Sequence, residues 1–275
     1  MDHNGPIRDT FDRVGDTFHT ARRELTAHRT GQLNGVNTPD TVLATQYAGQ
    51  AQHVSSQSTH VRGDTALTVS TVTPSAVPAL GAAASALAQD AGIGERVSRS
   101  AAQLSWLADI MQPTRRDGNY GQQGNVMQHL TTARRLHESA SVFSTIRDAA
   151  DMHEFFPSTF SAVTHQGRLQ GLMQTTTAND DGTQANRLAI GFIGTHPQNI
   201  LGNAPTPGVG SAMIQHAQHL ARAAHLPEVT LSAEGREAQG FYRNQGFEHM
   251  NGQPLQPQDF THGTLPLRLP VGRRG

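Results

Sequence analysis

The residues best suited to chemistry in this 275-residue chain fall between positions 190 and 247. Gly208-Val209-Gly210-Ser211-Ala212 precedes a run in which Met213, Ile214, Ala217, Leu220, Ala221 and Ala224 recur at helical spacing, so these five residues straddle a helix start. A helix start offers unpaired backbone N–H groups and the positive end of the peptide dipole, and glycines let an anion approach that backbone closely. The stretch therefore reads as an anion cradle or, on the simpler reading, a tight turn. Tyr242 carries a phenol, with an ordinary pKa near ~10, that stays protonated at neutral pH and can donate a proton; its other reading is a packed aromatic. His196, with an ordinary pKa near ~6.5, is the best-placed proton acceptor. His165, Glu154 and Glu234 are remoter candidates, and residues 188–195 hold no carboxylate.

The elements that must position these groups are legible around them. Residues 188–195 form a short apolar run bounded by Pro197, as a buried strand does. Pro205, Pro207, Gly208 and Gly210 make a turn, residues 211–225 a helix, and residues 228–231 a second strand. A strand–helix–strand crossover predicts parallel neighbours. Upstream, residues 160–165 and 168–177 alternate about Gln166-Gly167, a hairpin signal, and residues 179–182 turn into the 187–195 strand. Residues 264–269 alternate as a closing strand after a Pro- and Gln-rich loop over 252–258.

Thr195-His196-Pro197, Gly208 to Ile214, Val229-Thr230-Leu231 and Ala238-Gln239-Gly240-Phe241-Tyr242-Arg243-Asn244-Gln245-Gly246-Phe247 together resemble the acetyl-CoA-binding core of the GNAT (GCN5-related) N-acetyltransferases. The later signature matches in full. In the phosphate loop Pro205 stands at the usual Arg/Gln position, and the 198–207 segment is about five residues longer than the family pattern. The resemblance implies a mixed central α/β sheet flanked by helices and an acetyl-CoA-dependent N-acetyltransferase. It implies that backbone at Gly208, Val209, Gly210, Ser211 and Ala212 holds the pyrophosphate, that the splayed strand end at Ile193, Gly194 and Thr195 bonds the pantetheine arm, and that Tyr242 donates to the departing thiolate. The acceptor, a protein or a small amine, is not readable. The competing reading is a GNAT-like interaction module without turnover.

Composition bounds the rest. Cysteine is absent, which excludes disulfides, thiolate nucleophiles and Cys-based metal sites. His216 and His219 share a helix without a third ligand, so they read as its polar face and no metal is expected. Net charge is −1, so nucleic acid is not an expected partner. All 21 basic residues are Arg and none is Lys, as codon bias or selection against acylatable amines would produce. No window of 18 apolar residues and no secretory leader is present, so the chain reads as soluble as synthesised.

Residues 10–29 carry helical spacing, and residues 31–78, rich in Thr, Ser, Gln, Gly and His, read as disordered. Such an N-terminus resembles the export regions of bacterial type III effectors. That implies delivery into a host cell and a host protein target, an intrabacterial linker being the alternative. Residues 79–91 read as a small Ala-rich helix ended by Gly92 and Gly94, residues 95–111 as a second helix with Trp106 in the core, and 114–125 as a loop. Residues 126–156 read as helix with a possible break at 139–141. The resulting organisation is a low-complexity, largely disordered segment over 1–93 and a GNAT-like domain over 94–272.

Overall fold

The computed structural model describes residues 10, 13–24, 54–62, 65–111, 120–155, 158–178, 186–201 and 206–272. Eight strands, β1 (Val54–Arg62), β2 (Thr65–Val72), β3 (Thr159–His165), β4 (Arg168–Ala178), β5 (Arg187–Thr195), β6 (Glu228–Glu234), β7 (Glu248–His249) and β8 (Thr264–Pro270), form one sheet. Their order is β1-β2-β3-β4-β5-β6-β8-β7. Every neighbouring pair is antiparallel except β5 and β6, which the crossover makes parallel. The helices are α1 (Val77–Met111), α2 (Tyr120–Asp151), α3 (Pro197–Leu201), α4 (Val209–Ala223) and α5 (Gly235–Asn244). This is the mixed sheet with packed helices that the sequence predicts. The chain divides into two compact units, one of residues 1–42, 82–144 and 196–205, the other of residues 43–81, 145–195 and 206–275.

The second unit contains the sheet. Its β3–β4 hairpin turns on Gln166 (φ 50°) and Gly167 (φ 73°), and two successive left-handed residues match the twist of the flanking strands. Successive residues Phe160, Ser161, Ala162 and Val163 are all buried, so β3 is covered on both faces. On one face α4 lies across β2 to β6, burying Val209, Ala212, Met213, Ile214, Ala217 and Ala221 in the main apolar cluster. α5 packs on β6 and β8. Gln239, fully buried, fixes α5 to the segment before β8: its Oε1 accepts the Thr261 N–H at 2.7 Å and its Nε2 donates to the Gly263 carbonyl at 3.0 Å.

The first unit is helical. Within it α1 and α2 approach at Gly94, where an added Cβ would lie 3.2 Å from Leu136. Glu24, on the helical stretch 13–24, pairs with Arg96 at 2.7 Å.

Several expectations are corrected. Residues 54–62 and 65–72, within the segment read as disordered, are strands, and β2 pairs with β3 from Thr68↔Thr164 to Thr71↔Ser161. The Thr, Ser and Val alternation that composition marked as too polar for a core suits a pleated strand. It buries Leu67 and Val69 while Thr71 finds hydrogen-bond partners. The boundary at 93/94 falls inside α1, which runs unbroken for 35 residues through Gly92 and Gly94. α2 begins at Tyr120 and passes 139–141 without a break. Trp106 is 56% exposed, not core. The turn at 179–182, Pro205 and residues 1–9 and 25–53 lie outside the described residues.

Candidate cofactor site at the parting of two strands

β5 and β6 pair only through Leu188↔Val229, Ala189↔Thr230 and Ile190↔Leu231. β4 stays with β5 to its end, through Gly171↔Thr195, and β6 continues against β8. The two central strands therefore part after Ile190. The edge of β5 that carries Ile193, Gly194 and Thr195 is left with no strand partner on its β6 side among the described residues. Unpaired backbone N–H and C=O groups on such an edge are a template for an extended ligand with amides of its own.

A bulge explains the parting. The register with β4 shifts from Gln174↔Phe192 to Thr175↔Ile190, leaving Gly191 unpaired, and an inserted residue bends its strand and increases its twist. Gly191 also allows an approach no other residue permits, because an added Cβ would collide with Gln174 Oε1. Gln174 is buried, donates from Nε2 to Ser158 Oγ at 2.8 Å, and leaves Oε1 without a hydrogen bond against the bulge. Gly171 performs the matching service at the strand end: an added Cβ would lie 2.7 Å from the Gly194 carbonyl and 3.0 Å from Val209. It lets β4, β5 and the first turn of α4 converge. Neither glycine was singled out in the sequence, although a glycine inside a strand pattern is itself a signal for a bulge or a close backbone approach.

Gly208 and Gly210 lie at the start of a helix, as their spacing predicts. Gly208 is the N-cap of α4 with φ 85°, a left-handed conformation suited to glycine. The first helical bond runs from Ala212 N–H to the Gly208 carbonyl at 2.9 Å, so the N–H groups of Val209, Gly210 and Ser211 have no partner within the helix. No acidic side chain occupies the first turn, so the positive end of the helix dipole is not neutralised by the helix itself. Gly210 presses against α5: an added Cβ would lie 2.9 Å from Phe241 Cζ.

Tyr242 follows Phe241 on α5. Its ring meets Phe241 edge-on at 5.1 Å and Phe247 at 5.3 Å, and only 8% of the residue is exposed. Burial pushes its pKa above the ordinary phenol value. The phenol thus stays protonated, and among the described residues no group hydrogen-bonds its hydroxyl. It belongs to the same apolar cluster as Val209, Ala212 and Met213.

His196 is buried in the helical unit, and there it caps α3: its Nδ1 accepts the Gln198 N–H at 3.1 Å. A neutral imidazole that accepts at Nδ1 carries its proton on Nε2, so accepting a further proton requires giving up the cap. His165 donates from Nδ1 to the Ala66 carbonyl at 2.9 Å, and Glu154 and Glu234 are exposed. His216 is not on a polar face but fully buried, with both ring nitrogens hydrogen-bonded, while His219 is exposed. No cluster of three metal-ligating side chains occurs among the described residues.

No family model matches the chain, and no curated protein matches it. Solved structures do. One, described as an acetyltransferase of the GNAT family from Desulfovibrio desulfuricans, is 16% identical, with 52% of this chain and 92% of that chain covered and a TM-score of 0.37. The PaiA N-acetyltransferase of Thermoplasma acidophilum, solved with coenzyme A, is 11% identical over 74% of this chain and 98% of its own, with a TM-score of 0.36. An acetyltransferase from Streptococcus agalactiae is 16% identical over 61% and 88%, with a TM-score of 0.31.

Proposed function

We propose that this chain is a GNAT-type acyltransferase that binds acetyl-CoA and transfers its acetyl group directly to an amine. The observation that carries the reading is the parting of β5 from β6 at the Gly191 bulge, with the open first turn of α4 packed against the same strand end. In this reading the N–H groups of Val209, Gly210 and Ser211 hold the pyrophosphate, Gly208 and Ala212 shape that turn, and the free edge at Ile193, Gly194 and Thr195 bonds the pantetheine amides. Acetyl-CoA supplies the activated carbonyl. The acceptor nitrogen attacks it, the C–N bond forms and the C–S bond breaks, Tyr242 gives its proton to the leaving sulfur, and the proton shed by the nitrogen passes through solvent to restore the phenol. β5 provides no carboxylate to take the acceptor's proton. His196 serves as the cap of α3 unless that bond opens. The acceptor is a small amine or an exposed amine of a protein.

The burial of Tyr242 and the bare β5 favour a second reading, a module that holds CoA without turnover. Calorimetry of acetyl-CoA against the full chain, followed by a thiol-release assay with a panel of amines, separates the two. Saturable binding with thiol release supports the enzyme, and binding without release across the panel supports the module. No binding to the folded chain overturns both.

A further inference from the structure

β1 is the end strand of the sheet, and Ser58 and His60, two residues apart, lie on the same face of it. Across from them α4 presents Gln215 and His216. Gln215 Oε1 lies 2.6 Å from His60 Nδ1, and His60 Nε2 lies 3.0 Å from Ser58 Oγ. His216 Nδ1 reaches the same oxygen at 2.8 Å, and its Nε2 lies 2.7 Å from Thr71 Oγ1, which meets Ser161 Oγ at 3.2 Å.

The directions of these bonds follow from proton bookkeeping. An amide oxygen only accepts, so neutral His60 carries its proton on Nδ1 and presents a lone pair at Nε2. Ser58 donates its hydroxyl proton to that lone pair. Its oxygen then accepts from His216 Nδ1–H, and Thr71 donates to His216 Nε2. Burial, reinforced by His219 and His60, lowers the His216 pKa to about 4, so its ring is neutral at neutral pH and the pattern holds.

A hydroxyl bonded to a base that a third group orients is the arrangement of an activated nucleophile. We propose that Ser58 is a nucleophilic serine, with His60 as its base and Gln215 orienting that base, which takes an acyl group from an activated ester or thioester. Ser58 Oγ attacks the carbonyl carbon and its proton passes to His60 Nε2. The Oγ–C bond forms, the bond to the leaving oxygen or sulfur breaks, and the leaving group departs with the electron pair. His60 then returns the proton to the leaving group or to water. Gln215 Oε1 accepts from Nδ1–H throughout, and His216 Nδ1–H holds Ser58 Oγ in position. Ser58 is half-buried on the outermost strand and is within reach of a small acyl donor. The proposal is stoichiometric acylation, and it stands independently of acetyl transfer to an amine.

The test is to treat the full chain with p-nitrophenyl acetate, follow p-nitrophenolate, and map acetylated serines by peptide mass spectrometry. Ser58 is expected to acetylate about 100-fold or more faster than Ser232, an exposed serine of β6 that serves as an internal reference. Ser58→Ala removes that modification, His60→Gln slows it by roughly 10²–10⁴, and Gln215→Leu slows it less. Ser58 reacting no faster than Ser232 in the unmutated chain overturns the proposal, and that comparison needs no variant to fold. So does a His60→Gln chain with an unchanged circular dichroism spectrum and an unchanged Ser58 rate.

Discussion

Gly210, in the first turn of α4, lies directly against the ring of Phe241 on α5, with 2.9 Å between Phe241 Cζ and the position of an added Cβ. The contact joins the helix start that offers free amides to the helix that carries Tyr242. Gly210→Val must therefore displace an aromatic ring and tilt the cradle together. Acetyl-CoA affinity measured by calorimetry should fall about tenfold or more, equivalent to about 1.4 kcal/mol, in a chain whose circular dichroism spectrum is unchanged. Unchanged affinity would remove this turn from the site.

Tyr242→Phe keeps the ring packing against Phe241 and Phe247 and removes only the hydroxyl. If the phenol is the acid, turnover falls by roughly 10²–10⁴ while acetyl-CoA affinity stays within about twofold. An unchanged rate in a thiol-release assay assigns Tyr242 to packing alone.

The Gly191 bulge and Gln174 should be energetically coupled. Gly191→Ala places a methyl on Gln174 Oε1 and should destabilise the chain by about 1–3 kcal/mol, while the same change in a Gln174→Ala background should cost much less. Denaturant melts of the two singles and the double give the coupling, and additivity would refute the contact.

His216 makes stability depend on pH. Its folded pKa, about 4, lies below the unfolded value of 6.5 because burial disfavours the charged ring, and His219 and His60 act in the same direction. Between those values the unfolded chain binds the extra proton, so the contribution is full above pH 6.5, shrinks as pH falls, and is lost below about pH 4. Each unit of displacement is worth about 1.4 kcal/mol, which makes the whole effect about 3 kcal/mol. Urea melts from pH 7.5 to 4 should show it, and His216→Gln should flatten the curve.

Removal of residues 1–93 should do more than delete a tail. It cuts α1 in two and strips β1 and β2 from β3, uncovering the edge of β3 and taking the buried Leu67 and Val69 out of the apolar cluster. The truncated chain should aggregate or melt well below the full chain in a thermal scan.

What the sequence determined by itself lies where local chemistry and spacing coincide. The Gln166-Gly167 hairpin, the Gly208 cap, the amphipathic α4 and the parallel return to β6 all follow from residue types a few positions apart, and each is found in place. The tertiary structure decided what depends on distant partners. Thr71 and His216 are polar in any composition count, and their hydrogen bonds to each other, to Ser161 and to Ser58 let both be buried. That is why β1 and β2 read as disordered and His216 as a surface residue. Gly94 looked like a helix end, and is instead the place where Leu136 of a second helix comes close. The parting of β5 from β6 comes from a single unpaired Gly191, whose effect exists only once β4 is beside it, because a bulge is a mismatch between two strands and not a property of one.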